Sequence, residues 1–299
     1  MNITKVERAK SSLIKLYNAL RIYFELLPLT AVFIAIVGAA VISFSFLLFM
    51  DTVMWDMTVC TFLITFSVYS LNRLTDIEED ASNMPERVAF LSQKKDVILI
   101  LSITSYLIAL IVGALKNMYI VLVFLTPLLI GIIYSIRISS FRIKNIFAMK
   151  NVSVAFSWAF SSSFLPYVFY PNISVALMLF IFLFIKCFMD TVVFDIRDIE
   201  GDRISGVKTL PVVLGIKRTR NVLLAVNSFL LIWVLVCYLM GIFIPYLPIA
   251  IFSTIYGYWY ISVFFREENK KGKYDYDYLV DGEFIILAIL AAFVHIIVT

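Results

Sequence analysis

Apolar runs long enough to cross a lipid bilayer recur along the whole chain, and this recurrence limits the fold more than any single motif does. A hydrocarbon core of roughly 30 Å takes about 17 to 25 apolar residues in a helix. Such runs lie at about Leu26 to Met50, Trp55 to Leu74, Val97 to Leu115, Met118 to Ile136, Phe147 to Tyr170, Ile173 to Asp195, Val222 to Phe243, Pro245 to Phe265 and Glu283 to Val298. Backbone polar groups in lipid must be satisfied within a helix or a closed barrel, and these runs lack the alternation of barrel strands. The expected fold class is therefore an all-α integral membrane bundle with nine transmembrane helices. A composition that is 62% hydrophobic and 15% charged over 299 residues agrees.

The linkers alternate in length and charge. Long charged ones fall at 75–96, 137–146, 196–221 and 266–282, and short ones near Asp51, Lys116, Pro171 and Ile244. Of the 25 Lys and Arg residues, all but Lys116 and Lys186 lie in the N-terminal segment, the long linkers or the span ends beside them. The positive-inside rule then places the N-terminus and every long linker in the cytoplasm of a multi-pass cell-membrane protein. The net charge of +4 describes that one face. Lipid headgroups and phosphorylated ligands are its nearest partners, and no nucleic acid is expected.

Residues 1–25 mix Lys5, Arg8, Lys10, Lys15 and Arg21 with Leu13, Ile14, Leu16, Tyr17 and Leu20. This reads as an interfacial amphipathic segment that stays attached, followed by a single transmembrane domain over 26–299. Cys60, Cys187 and Cys237 all fall inside predicted spans without metal-ligand spacing. His295, the only histidine, sits near the far end of the last span and is expected to be structural or interfacial. Histidine-based triads and histidine-rich metal sites are thereby set aside.

Two acidic clusters stand out against this background, Asn72-Arg73-Leu74-Thr75-Asp76-Ile77-Glu78-Glu79-Asp80 and Asp195-Ile196-Arg197-Asp198-Ile199-Glu200-Gly201-Asp202. A carboxylate near the bilayer centre costs about 2.5 to 3.5 kcal/mol on insertion scales, so repeated acids beside spans call for a counter-charge. If the second helix continues, Asn72, Asp76 and Asp80 share one face; if the sixth continues, so do Asp195, Asp198 and Asp202. Two such faces across a bundle form one polar chamber at the cytoplasmic end. Oxygen-only ligands select hard cations, Mg²⁺ above all, which completes its octahedron with waters and substrate phosphate oxygens. The expected ligand is a diphosphate. Glu78, Glu79 and Glu200 are expected to be solvated instead.

These motifs resemble those of the UbiA superfamily of intramembrane prenyltransferases, which has nine helices with a central cavity, NxxxDxxxD after helix 2 and a DxxxD-type motif after helix 6. The first is met by Asn72, Asp76 and Asp80 with Asn83-Met84-Pro85-Glu86-Arg87 following, and the second by Asp198 and Asp202 with Asp195 upstream, followed by Gly206-Val207-Lys208-Thr209-Leu210-Pro211-Val212-Val213-Leu214-Gly215. Tyr134-Ser135 and Lys150-Asn151 look like the family's connection between helices 4 and 5. The resemblance covers nearly the whole chain. It implies two Mg²⁺ ions bridging the acidic motifs and the diphosphate of an isoprenyl donor, with Asp76, Asp198 and Asp202 at the centre of catalysis.

Basic residues near cytoplasmic helix ends then complete the diphosphate site. Arg73 and Arg197 lie inside the motifs, where either can pair with a motif acid instead of substrate; Arg137 is a further candidate, and Lys144 corresponds best to the family's lysine after helix 4. Arg142 and Lys150 also sit at such ends. Tyr134, Lys150, Asn151 and Asp190 are candidates for contacting the acceptor or supporting the metal ligands. Lys186 and Asp190, four residues apart on one helix, can also form an intramembrane ion pair. Glu25 is expected at the interface.

The expected activity is Mg²⁺-dependent transfer of an isoprenyl chain to a lipophilic or aromatic acceptor, of the quinone-precursor or archaeal-type lipid-precursor class. An intramembrane terpene cyclase of the same superfamily is the enzyme alternative. A cation-coupled transporter is the alternative from another class, disfavoured because the acids collect on one side.

Overall fold

The computed structural model describes residues 27–77, 81, 83–135, 137–138, 141–142, 146–266, 272 and 274–298, with side chains for all of these except 134–142. The amphipathic segment and Glu25 lie outside the described residues. In chain order the elements are α1 (Val32–Met50), α2 (Trp55–Thr75), α3 (Pro85–Gln93), α4 (Lys95–Lys116), α5 (Met118–Ser135), the short hairpin β1 (Arg137–Ile138) and β2 (Phe141–Arg142), α6 (Met149–Phe169), α7 (Ile173–Arg197), α8 (Ile199–Ile204), α9 (Leu210–Leu214), α10 (Ile216–Met240), α11 (Leu247–Phe264) and α12 (Glu283–Val298). A π-helical turn, Asp277–Asp281, leads into α12.

Each predicted apolar run is helical, and the helices follow one another around a closed circuit. α1 packs on α2, α2 on α4, α4 on α5, α5 on α6, α6 on α7, α7 on α10, α10 on α11 and α11 on α12, which returns to α1. Sequential neighbours are spatial neighbours, as short connections require. Among the described residues seven helices are long and apolar enough to cross a membrane. α5 offers a shorter apolar stretch, Met118–Ile133. α2 falls short because Asn72 and Arg73 interrupt its last two turns. Apart from the short β1–β2 hairpin the described elements are helical, and the protein is a multi-pass membrane protein.

Several boundaries differ from the sequence reading. α10 begins at Ile216, not near Val222, because the basic turn at 217–220 simply continues the helix into water. The stretch 196–221 holds α8 and α9 as well, so it is a folded cap and not an open linker. Likewise the end of 266–282 is the buried turn Asp277–Asp281. Both acidic motifs break where a continuous helix was expected. α2 stops at Thr75, with Asp76 at φ −101° capping it, and α7 stops at Arg197, with Asp198 at φ −102° in the same role.

Small side chains open the interior. On α6, Ser153, Ser157 and Ser161 recur every four residues and so share one face, which looks toward Thr61, Thr65, Val68 and Tyr69 of α2. Ala155 and Ala159, fully buried, fall on another face of α6, within the core that includes α7. Phe124, Pro127 and Leu128 of α5 complete an apolar cavity of about 490 Å³.

Candidate active site

A second cavity, of about 240 Å³, adjoins the first at the end of the bundle that carries the acidic motifs. Its walls include Asn72, Asp76, Asp195, Asp198 and Asp202, so the two motifs do converge. Asp277 and Asp281 from the π-helical turn join them, together with Arg73, Arg87, Lys150 and Arg197. The two cavities share Tyr69, Asn72, Lys150, Val154 and Trp158. A polar chamber thus lies beside an apolar one, with these residues as their common wall.

The helix break at Asp198 lets the second motif approach from two directions. Asp195 stays on α7, 1% exposed, while Asp202 rides on α8 after the chain turns. Gly201 lets α8 lie close against Asn83, the asparagine that follows the first motif, because a Cβ there would meet the Asn83 side chain. The stretch after the motif holds the start of α6 in place. Val207 N–H donates to the Asp202 carbonyl at 2.8 Å, and Ala148 N–H to the Lys208 carbonyl at 3.1 Å.

Lys150 and Asn151 are delivered to the acids by that anchoring. Lys150 Nζ lies 2.8 Å from Asp195 Oδ1 and 3.1 Å from both oxygens of Asp202. Asn151 Nδ2 donates to Asp195 Oδ2 at 2.6 Å. Arg197 grips Asp198 with two hydrogen bonds, 2.9 and 3.1 Å, and stands 3.6 Å from Asp277. Among the described residues no group of three acidic side chains is already gathered for a metal ion, and Lys150 and Arg197 lie against the acids. Burial pushes the Asp202 carboxyl up to about 6 against the pull of Lys150. Burial acts the same way on Asp198, but Arg197 outweighs it and holds that carboxyl below the ordinary range.

Arg73, a candidate for the diphosphate, also makes backbone contacts outside the motif. It is 8% exposed, and Nη1 donates to the carbonyls of Pro28 and Leu29 at 3.3 Å, tying the start of the described chain to α2 while still bordering the chamber. Asp190 forms part of the chamber wall, with Oδ1 accepting from Tyr260 at 3.1 Å and Oδ2 left without a hydrogen-bond donor. It does not take Lys186 as its ion-pair partner. Lys186 reaches across to Glu283 of α12 at 2.7 Å, because its long stem points between helices and not along its own. Glu200 is exposed, as expected.

Asp80 and Lys144 lie outside the described residues, as do the side chains of Tyr134, Arg137 and Arg142. Sequence reasoning missed Asp277 and Asp281, although their four-residue spacing just before the last span repeats that of the first motif. It also missed Asn83 as a packing partner and Tyr69 and Trp158 as the shared wall. Trp158 Nε1 donates to Tyr69 Oη at 2.9 Å, which fixes both rings at the boundary of the two cavities.

The donor set fits a hard divalent cation. Carboxylate and amide oxygens of Asn72, Asp76, Asp195, Asp198 and Asp202 dominate the polar atoms of the described chamber, and Asn151, beside Asp195, keeps its Oδ1 buried without a donor. Among the described lining residues Cys187 brings a single thiol, and no histidine borders the chamber.

Comparison with known proteins agrees with this geometry. A digeranylgeranylglyceryl phosphate synthase from Methanothermobacter thermautotrophicus is 29% identical over 189 residues, 62% of this chain and 64% of that protein, so the match spans just under two thirds of the relative's length. A UbiA homolog from Archaeoglobus fulgidus, solved with GPP and Mg²⁺, superposes with a TM-score of 0.66 at 18% identity, covering 90% of this chain and 96% of the other. A solved digeranylgeranylglyceryl phosphate synthase gives 0.58 at 19% identity over 93% and 97%. At these identities the structures establish the fold. The sequence model of the UbiA prenyltransferase family matches residues 26–277, and the chain belongs to that family.

Proposed function

We propose that this prenyltransferase moves an isoprenyl group from a membrane-borne isoprenyl diphosphate to a lipophilic acceptor, with Mg²⁺ as cofactor and its chamber on the cytoplasmic side of nine membrane crossings. One observation carries the reading: an apolar cavity and an oxygen-lined acidic chamber meet at a common wall. A molecule with a greasy tail and a polyanionic head fits that pair of spaces. The tail lies among Ser157, Ser161, Phe124 and Leu128, and the diphosphate lies among the acids and bases of the chamber.

The residues proposed to hold Mg²⁺ are Asn72, Asp76, Asp195, Asp198 and Asp202, with Asp80 completing the first motif; two ions are expected. Held by these residues, Mg²⁺ would supply Lewis-acid charge that eases departure of the diphosphate. Arg197 and Lys150 supply further positive charge on the same side, and Arg137 and Lys144 remain candidates from the connection before α6. Tyr69 and Trp158 stand where that carbon would lie, and a desolvated aromatic face stabilises a passing cation by about 0.5 to 2 kcal/mol. The bond to the diphosphate oxygen breaks, a bond from the allylic carbon to the acceptor forms, and the acceptor's proton needs a base. Asp190, a chamber residue whose Oδ2 accepts no hydrogen bond, is the base proposed for it.

Among acceptors, the likeness to a digeranylgeranylglyceryl phosphate synthase favours a hydroxyl-bearing lipid precursor with a phosphate over a free aromatic acid. Arg73 and Arg87 add positive charge beside the chamber that such a phosphate can use. The test is direct competition between the two acceptor classes, with one labelled donor and purified protein in detergent. Prenylation of the phosphoglyceride-type acceptor is expected. Exclusive prenylation of an aromatic acid would overturn the choice of acceptor, and a cyclised hydrocarbon from donor alone would overturn transfer itself.

A further inference from the structure

Lys150 stands where a cation is needed. Its ammonium bridges Asp195 and Asp202, which approach from α7 and α8 on either side of the helix break. Both acids are nearly buried, at 1% and 8% exposure, and buried carboxylates without a counter-charge are strongly destabilising. The lysine supplies that charge. Asn151, the next residue on α6, steadies Asp195 through its other oxygen.

The lysine is held less firmly than the acids. Its side chain is 25% exposed and borders both the apolar cavity and the polar chamber. A flexible four-carbon stem carries a compact charge that can swing without unpacking a core. From this position Nζ can leave the two carboxylates and remain inside the chamber.

We infer that Lys150 is a tethered counter-ion: it neutralises Asp195 and Asp202 in the metal-free protein, is displaced when a divalent cation binds there, and then serves as counter-charge to the diphosphate. This rests on the metal-dependent reading above and assigns Lys150 a positioning role within it. A divalent cation competes with the ammonium for the acids, whereas a diphosphate draws the ammonium away from them. Each ligand therefore strengthens binding of the other, and the coupling is reciprocal. Metal-free protein holds the lysine back from diphosphate, and diphosphate-free protein makes the metal displace it.

The test uses the full chain in detergent, with Mn²⁺ as a paramagnetic stand-in and inorganic diphosphate as an unreactive head group. Without diphosphate, Lys150→Gln is expected to bind Mn²⁺ about tenfold more tightly than wild type, the scale of one charge-assisted contact. The same variant is expected to lose the enhancement that inorganic diphosphate gives the wild type, while Lys150→Arg keeps it. Unchanged or weakened Mn²⁺ binding by Lys150→Gln would overturn the inference.

Wild-type protein provides a second readout that does not depend on a variant folding. Amine acylation followed by mass spectrometry should label Lys150 more when Mn²⁺ is added and less again with inorganic diphosphate. Labelling that ignores Mn²⁺ would overturn the inference. A folded wild-type chain that binds no Mn²⁺ refutes the metal-dependent reading and the coupling with it, whereas Mn²⁺ binding indifferent to Lys150 refutes the coupling alone.

Discussion

Lys150 and Lys186 use the same chemistry to opposite ends. Each puts an ammonium against carboxylates from other helices, Lys150 against Asp195 and Asp202 and Lys186 against Glu283. Lys186 is fully buried, and Tyr260 and Ser253 complete its surroundings: Lys186 Nζ donates to Tyr260 Oη at 3.4 Å, and Ser253 Oγ to Glu283 Oε1 at 2.5 Å. Lys186 and Glu283 are both 0% exposed and line neither of the two cavities, so the cluster fastens α7, α11 and α12 together. Lys150 faces two cavities and stays partly exposed. Access, and not charge or pairing, separates a bolt in the scaffold from a part of the working site.

That contrast can be broken by moving stability and chemistry independently. The largest effect is expected at the chamber, where Asp198→Asn should lower prenyl transfer by about 100- to 1,000-fold, the range seen when one preorganised charge-stabilising group is lost. Its thermal midpoint in EDTA should stay close to wild type. A matching fall in midpoint would make Asp198 a structural acid and erase the contrast.

At the membrane cluster the signs reverse. Lys186→Met leaves Glu283 buried and unpaired, which should cost about 3 to 5 kcal/mol in denaturant unfolding. Adding Glu283→Leu should restore most of it, since replacing both partners of a buried pair is often neutral. Failure of the double change to recover would mean that the pair does more than hold helices.

A change in neither cluster sharpens the picture further. Ser157→Phe fills the apolar cavity and should lower kcat/KM for long donors by about tenfold, the lower end of what pocket volume alone can discriminate. Short donors, Mn²⁺ affinity and thermal midpoint should be unaffected. The smallest effect concerns pH. Burial raises Asp202 from 3.8 to about 6, so the folded state favours its protonated form. In EDTA, stability from this group is fully present below pH about 4 and is lost as pH rises through about 6. Asp202→Asn should flatten that part of the profile in unfolding experiments run across this window.

Much of the helical framework was legible because apolar runs of membrane-spanning length have few other solutions. The cavity was harder to see, since serines at 153, 157 and 161 look unremarkable until their common spacing is set against α2. The motif residues Asn72, Asp76, Asp195, Asp198 and Asp202 could be picked out from type and spacing. The helix breaks could not, because Asp76 and Asp198 carry none of the glycine or proline signals that announce a stop. Pairing across the bundle was equally hidden. Lys186 has Asp190 one turn away in sequence, and only the packing of α7 on its neighbours turns it toward Glu283. Asp277 and Asp281 repeat the spacing of the first motif, a signal present in the sequence and passed over as linker.

The most direct test of the central claim is diphosphate release from a radiolabelled isoprenyl diphosphate by the purified chain, with acceptor present and with either Mg²⁺ or EDTA. The account predicts release together with prenylated acceptor in Mg²⁺, and neither in EDTA. Equal release and transfer under both conditions, by wild type and by protein carrying Asp76→Ala and Asp198→Ala together, would contradict it.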